Sequence, residues 1–334
     1  MLRSELCTLL PPEDTLVSNT GADVVVVSDG HSLWVRKNEV GSHSLDRNQE
    51  TSQSVAAFLD HYQFNNGAQM AYVGRCSQNC INQCNKSPFI EGQCLSDLLG
   101  DDNSGIREVS ELRMRLLESM KRGGYFAQRS MGRPYDYYQT RFLKYEKVNE
   151  WFSRSGRLEI GGQQIDVDAK RALDFLCHSN TVVPVGVFPT DLNLTNVIYR
   201  SSDRSIRTID QCLAYVSPAI PITKMIIGWR GFGSLVPRRP NWSLISLNEL
   251  SQNIELTMEC DRDYLKKCLI MYDWLDEPAK SHFEAEIHGI QIMKTFITLN
   301  KFKERGQLPP QEAIDAVIGP FYERTLNRFV ELMG

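Results

Sequence analysis

Asp191, Asn196 and Asp210 form the set of polar side chains in this chain best suited to carry a reaction. Asp191 is followed five residues on by Asn196, then by the β-branched pair Val197 and Ile198, a polar turn from Ser201 to Ser205, and Asp210 directly behind Ile209. Transfer of a phosphoryl group from a nucleoside triphosphate needs a carboxylate to orient the attacking hydroxyl and accept its proton. It also needs oxygen ligands for the Mg²⁺ that bridges the phosphates. Asp191 suits the first task, and Asn196 with Asp210 the second. The same spacing also fits a plain turn and hairpin, and that reading stays open on these residues alone.

The elements needed to position such a set can be read around it. The runs VIYR and IRTID read as two strands of a hairpin, which would bring Asn196 and Asp210 near one another. Asp168–Cys177 reads as the helix leading into the Asp191 loop, and Leu158–Val167, with Gly161-Gly162, as a small hairpin before it. Near the start, DVVVVS (23–28) and HSLWVRK (31–37) are strand runs joined by Asp29-Gly30, a strong hairpin signal. Asp46–Tyr62 reads as a helix capped by Asp46, with Glu50 in its first turns. Met70–Arg75 reads as a short strand. Ile106–Arg122 places Ile106, Val109, Leu112, Leu116, Leu117 and Met120 on one helical face. From Ile254 the chain reads as helical, closing with an amphipathic helix over Ala313–Leu332 that carries Val317, Phe321, Phe329 and Val330.

The stretch from Val187 to Gln211 resembles the catalytic and metal loops of the kinase-like phosphotransferase superfamily, in its aminoglycoside phosphotransferase and choline kinase branch. That branch carries HGDLxxxN followed by IDW or IDF; here Pro189 and Thr190 stand for the histidine and glycine, and Gln211 for the aromatic. A second matching stretch, SPFIEGQCLSDLL (87–99), is similar to the family's lobe-connecting strand, glycine turn and helix-opening leucine. The resemblance implies an α+β, bilobal protein-kinase-like fold: a small antiparallel-sheet N-lobe over 1–91 and a larger, mainly helical C-lobe over 92–334. It implies ATP or GTP as phosphoryl donor with two Mg²⁺ ions, Asp191 as base, and Asn196 and Asp210 as metal ligands. It further implies Lys37 on the phosphates, Glu50 pairing with Lys37, and the turn at Gly21 covering the phosphates. By the same resemblance, Phe89, Ile90 and Glu91 would form the linker whose backbone meets the adenine edge. The acceptor it implies is the hydroxyl of a small molecule. A protein substrate, nucleotidyl transfer on the same fold, and a pseudokinase binding module are the alternatives, the last suggested by Pro189 and Gln211.

Composition bounds these readings. The 334 residues can bury a substantial core, and a net charge of −4 gives no global basic footprint for nucleic acid. Arg3, Glu5 and the double proline interrupt Met1–Pro12, and no later apolar run is long enough to span a bilayer. Nine scattered cysteines fit reduced thiols, so a cytoplasmic protein is expected, although delivery by a route without a cleaved signal would leave the same sequence. Cys76, Cys80 and Cys84 would share one face if helical and could begin a metal site, or be free thiols. The acidic residues Glu255, Glu259, Asp261, Asp263, Asp273, Asp276 and Glu277 form a solvated face or a cradle for an amine-bearing acceptor. Gly228–Pro240 reads as a surface connection or a mobile substrate loop, and Tyr215–Ile222, with two prolines and no carboxylate, departs from the family's pattern of a further acidic residue and a helix.

Overall fold

The computed structural model describes residues 8–9, 15–16, 23–28, 33–38, 84–88, 91–99, 103–122, 126–139, 142, 146–154, 158–178, 182–208, 213–228 and 247–334. Two compact units result, Met1–Cys94 with Asn196–Leu213, and Leu95–Thr195 with Ala214–Gly334.

The first unit is built on antiparallel strands. The β-branched run Asp23–Ser28 pairs with Leu33–Asn38 from Ser28↔Leu33 to Asp23↔Asn38, as valine-rich sequence favours. Cys84–Pro88 adds to the other edge of Leu33–Asn38, and the short strands Thr8–Leu9 and Thr15–Leu16 pair with Asp23–Ser28. Cys84 therefore stands in a strand opposite Asn38, so the helical arrangement of Cys76, Cys80 and Cys84 does not extend to it. The expected helix over 46–62, the strand over 70–75, Cys76 and Cys80 lie outside the described residues.

A second sheet of this unit joins the linker to the hairpin. Val197–Arg200 pairs with Ser205–Thr208 on one side and with Gln93–Cys94 on the other. The turn between the hairpin strands is closed by an Arg200–Asp203 ion pair and by Ser205 N–H donating to Asp203 Oδ1 at 3.0 Å. Gly92 precedes the linker strand with φ +144°, and a Cβ there would lie 2.5 Å from the Tyr199 carbonyl oxygen. Only glycine allows both that backbone and that approach.

The second unit is mainly helical. The helix Asn103–Arg122 buries all six residues of the expected face, Ile106, Val109, Leu112, Leu116, Leu117 and Met120. The helix before the Asp191 loop runs Ile165–His178, three residues longer at its start than expected. The hairpin Glu159–Ile160 with Gln163–Gln164 turns on Gly161 and Gly162, both at positive φ, and leaves Ile165 free to open the helix. Ile165, Ala169, Ala172, Leu173 and Leu176 then form its buried stripe. The long helix Glu277–Glu304 packs against that helix, against Ala219–Lys224 and against Gly319–Met333. Its N-terminus is capped by Asp276, which accepts from Ala279 N–H at 2.9 Å.

Two sequence expectations are corrected. The two prolines after Tyr215 do not prevent a helix: the strand Leu213–Val216 is followed by the helix Ala219–Lys224. Pro221 falls in its first turn, where an N–H would have no helical acceptor. The closing helix is also not one uniform amphipathic run. A π turn at Ile314–Ile318 precedes Gly319–Met333, and Val330 is exposed while Val317, Phe321 and Phe329 are buried. Among the described residues no helix is long and apolar enough to cross a membrane.

Candidate active site

The strand Val183–Pro189 delivers Asp191. It lies between Ser130–Gly132 and Leu213–Val216, and Val183, Val185 and Phe188 are buried. Its pairing with Ser130–Gly132 stops at Val185. Beyond that point the side chain of Gln128 takes over: Val187 N–H donates to Gln128 Oε1 at 3.0 Å, and Gln128 Nε2 donates to the Val187 carbonyl at 3.2 Å. The intervening residue is Gly186, whose Cβ would collide with Gln128 Oε1. The ladder thus continues to the edge of the loop, where Pro189, lacking an N–H, ends it.

The loop itself is locked by its own polar groups. Asn193 donates from its backbone N–H to the Asp191 carbonyl at 3.0 Å and from Nδ2 to Asp191 Oδ1 at 3.2 Å. Asn193 Oδ1 in turn accepts from Thr195 N–H at 3.0 Å and from the Thr195 hydroxyl. This is an asparagine doing the work of a turn. Leu192 and Leu194 alternate with these residues and are buried. Leu192 borders a cavity of about 10 Å³ shared with Leu116, Phe126, Ile222, Met225 and Tyr264, room for no more than one water. It seats the loop and is too small for an acceptor.

Asp191 is half-buried, and its Oδ1 accepts from Lys224 Nζ at 2.5 Å. The Lys224 side chain is only 7% exposed, against 43% for that of Asp191. Burial alone would push the Asp191 carboxyl up. Lys224 beside it, the charge of Lys294 and the Asn193 hydrogen bond together hold it below its ordinary value, so it is a carboxylate at neutral pH.

Asn196 closes the short 3₁₀ turn Leu194–Asn196 and immediately precedes the hairpin strand Val197–Arg200. Val197 pairs with Thr208, so the chain returns to the Asn196 end of the hairpin two residues before Asp210. Asp210 lies outside the described residues, as do Gly21, Glu50, Phe89 and Ile90. Lys37 is in the strand Leu33–Asn38 opposite Val24 and Asn85, and Glu91 is exposed in the linker turn.

Three of the seven acidic residues of the C-terminal helices are committed elsewhere. Asp261 is buried and pairs with Arg113, Asp273 pairs with Lys280 at 2.5 Å, and Asp276 caps a helix. Sequence reasoning missed Lys224, Lys294, Asn193, Thr195 and Gln128. Lys224 had a signal: it is the lone charge between Asp210 and Arg230, set in the apolar run AIPITKMII. A lysine in such a run is seldom buried without a carboxylate.

No protein-family model and no curated sequence matches the chain. Solved structures do: the chain has the kinase-like fold of the aminoglycoside phosphotransferases. A thermostable mutant of the aminoglycoside phosphotransferase APH(4)-Ia, in ternary complex with ADP and hygromycin B, is 10% identical, with a TM-score of 0.53 over 98% of this chain and 94% of that one. A second ternary complex of that enzyme, with AMP-PNP and hygromycin B, gives a TM-score of 0.52 at 10% identity, again over 98% and 94%. The choline kinase LicA from Streptococcus pneumoniae is 11% identical over 98% and 96%, with a TM-score of 0.43.

Proposed function

We propose that this chain is an ATP-dependent phosphotransferase that moves the γ-phosphoryl group to a hydroxyl of a small molecule. The observation that carries this reading is Asp191, an ionised carboxylate held by Lys224 and Asn193 just beyond the end of a central strand. The fold adds support, being shared with an enzyme crystallised with ADP or AMP-PNP and an aminoglycoside. In this reading Asp191 orients the acceptor hydroxyl and takes its proton as the new oxygen–phosphorus bond forms and the bond to the leaving nucleoside diphosphate breaks.

The donor set fits Mg²⁺: the Asn196 amide oxygen and the Asp210 carboxylate are hard oxygen ligands. Mg²⁺ supplies neutralisation of the charge on the transferring phosphoryl group. The nucleotide, ATP or GTP, is assigned to Lys37, Glu50, Gly21 and the linker Phe89, Ile90 and Glu91. The lobe over 1–91 clamps it, and the lobe over 92–334 holds the acceptor.

The test is phosphorus NMR of ATP and Mg²⁺ with the protein and a pool of hydroxylated metabolites and aminoglycosides, beside Asp191→Asn. ADP with a new phosphomonoester signal, absent in the variant, is the expected result. Pyrophosphate release would replace this reading with nucleotidyl transfer. ADP formation equal in Asp191→Asn would overturn the assignment of the base.

A further inference from the structure

We infer that Lys224 is a positioning residue for the transfer: its ammonium group fixes the orientation of the Asp191 carboxylate through a direct hydrogen bond. The inference rests on the phosphotransferase reading and adds to it a residue that lies far from the Asp191 loop in sequence. Two observations carry it. Lys224 Nζ donates to Asp191 Oδ1 at 2.5 Å. Its side chain is nine-tenths buried, so the contact is made in a site with little water to compete for it.

Lys224 is itself held firmly. It is the last residue of the helix Ala219–Lys224, buried along its whole length. The helix begins where Ser217 Oγ accepts from Ala219 N–H at 3.2 Å, while the same hydroxyl donates to the buried Glu286 at 2.8 Å. Past Lys224, the Met225 carbonyl accepts from Arg113 at 3.1 Å. A lysine on a frame fixed at both ends places its Nζ with little freedom, so it can fix a second side chain.

Among the charged and polar groups that bear on Asp191 are Lys224 from this helix, Lys294 from the helix Glu277–Glu304, and Asn193 from the loop. Lys294 acts through its charge, whereas Lys224 acts through both charge and a direct hydrogen bond. Removal of Lys224 therefore changes both where the carboxylate points and how readily it takes up a proton. The loop hydrogen bond from Asn193 would remain.

The experiment compares wild type, Lys224→Met and Lys224→Arg, each made with aspartate ¹³C-labelled at the carboxyl. The Asp191 signal is assigned by its absence in Asp191→Asn. Two readouts are taken: the pH midpoint of the Asp191 signal, and ADP release from ATP and Mg²⁺ with the pool of hydroxylated metabolites and aminoglycosides as acceptors. Methionine matches the length and apolar stem of lysine, so the buried site stays filled. The expected result is a higher Asp191 midpoint in Lys224→Met, partial return in Lys224→Arg, and a fall of about 10²-fold in kcat for Lys224→Met with KM for ATP unchanged.

A lysine that merely stabilised the fold would leave the midpoint where it is, and that result overturns the inference. So does a shifted midpoint with an undiminished rate, which leaves the phosphotransferase reading standing. A wild type that releases no ADP overturns that reading, and the role of Lys224 with it.

Discussion

Arg113 and Asp261 form a buried ion pair, 2.5 Å between Nη1 and Oδ1, that joins the helix Asn103–Arg122 to the helix Leu247–Ile270. The arginine also donates to the carbonyls of Met225 and Cys260 and stacks over the Tyr264 ring at 4.3 Å. The aspartate accepts from the backbone N–H groups of Ile227, at 2.9 Å, and Gly228, at 2.7 Å. The pair thus anchors the chain that leaves the Lys224 helix.

Asp261→Ala should cost about 3–5 kcal/mol in urea unfolding, with the midpoint lowered and the m-value unchanged. The reason is that the substitution strands a fully buried guanidinium and two backbone donors together. Arg113→Met should cost less, because it removes a buried charge whose partner keeps both of those N–H bonds.

Asp191→Asn should reduce turnover by about 10²–10⁴-fold while leaving thermal stability close to wild type, since the amide oxygen still accepts from Lys224. Asp191→Ala should lose as much activity and also melt lower, by about 2–4 °C for each ~1 kcal/mol lost, because it leaves the buried Lys224 ammonium with no side-chain acceptor at that position. Differential scanning calorimetry beside the rate assay separates the two variants.

Glu286 and His288 should pull stability in opposite directions with pH. Burial raises the Glu286 carboxyl from 4.5 to about 7, against the lowering effect of its hydrogen bonds from Tyr138 and Ser217. The folded state therefore binds its proton more tightly than the unfolded chain, and this group's contribution is lost as pH rises from about 4.5 to 7. Burial lowers His288 from 6.5 to about 4; Glu284 opposes this, and Arg328 and Arg324 add to it. The unfolded chain binds that proton more tightly, so its contribution is lost as pH falls from 6.5 to about 4. Between these limits the two slopes offset one another. Urea titrations across pH should give a rising profile in Glu286→Gln and a falling one in His288→Leu, each roughly 1 kcal/mol per pH unit at its steepest. Parallel profiles for wild type and both variants would sink the prediction.

Gly186→Ala should destabilise the protein, and Gln128→Ala should relieve part of that loss, because the added methyl meets Gln128 Oε1. A double-mutant cycle should return a coupling of about 0.5–3 kcal/mol, the double variant being more stable than the two single losses sum to. Additive losses would mean that the strand moves aside instead.

What could be read from sequence was what is local or periodic. The stripe from Ile106 to Met120 is buried as its spacing requires, and the hairpin around Ser201–Ser205 forms where strand runs flank polar turn residues. Arg113 sits inside that same stripe, and nothing near it announces a partner 148 residues away. Lys224 and Asp191 likewise meet across 33 residues through tertiary packing alone. Val330 lies nine residues, two and a half turns, beyond Phe321 on the same helix, so it points away from the side that Phe321 buries. The resemblance singled out Asp191 and Asn196, but it could not supply Gln128, Lys224 and Lys294, because these come from a loop and two helices with no motif of their own.

The Gln128–Val187 bridge has a consequence for how such a protein could change over generations. Backbone ladders are altered only by shifting whole strands, whereas this stretch of ladder rests on one side chain, exchangeable by a single codon change. Stiffness in the strand that carries the carboxylate can therefore be dialled up or down without redrawing the sheet, which makes position 128 an inexpensive adjustment point for both natural drift and directed evolution.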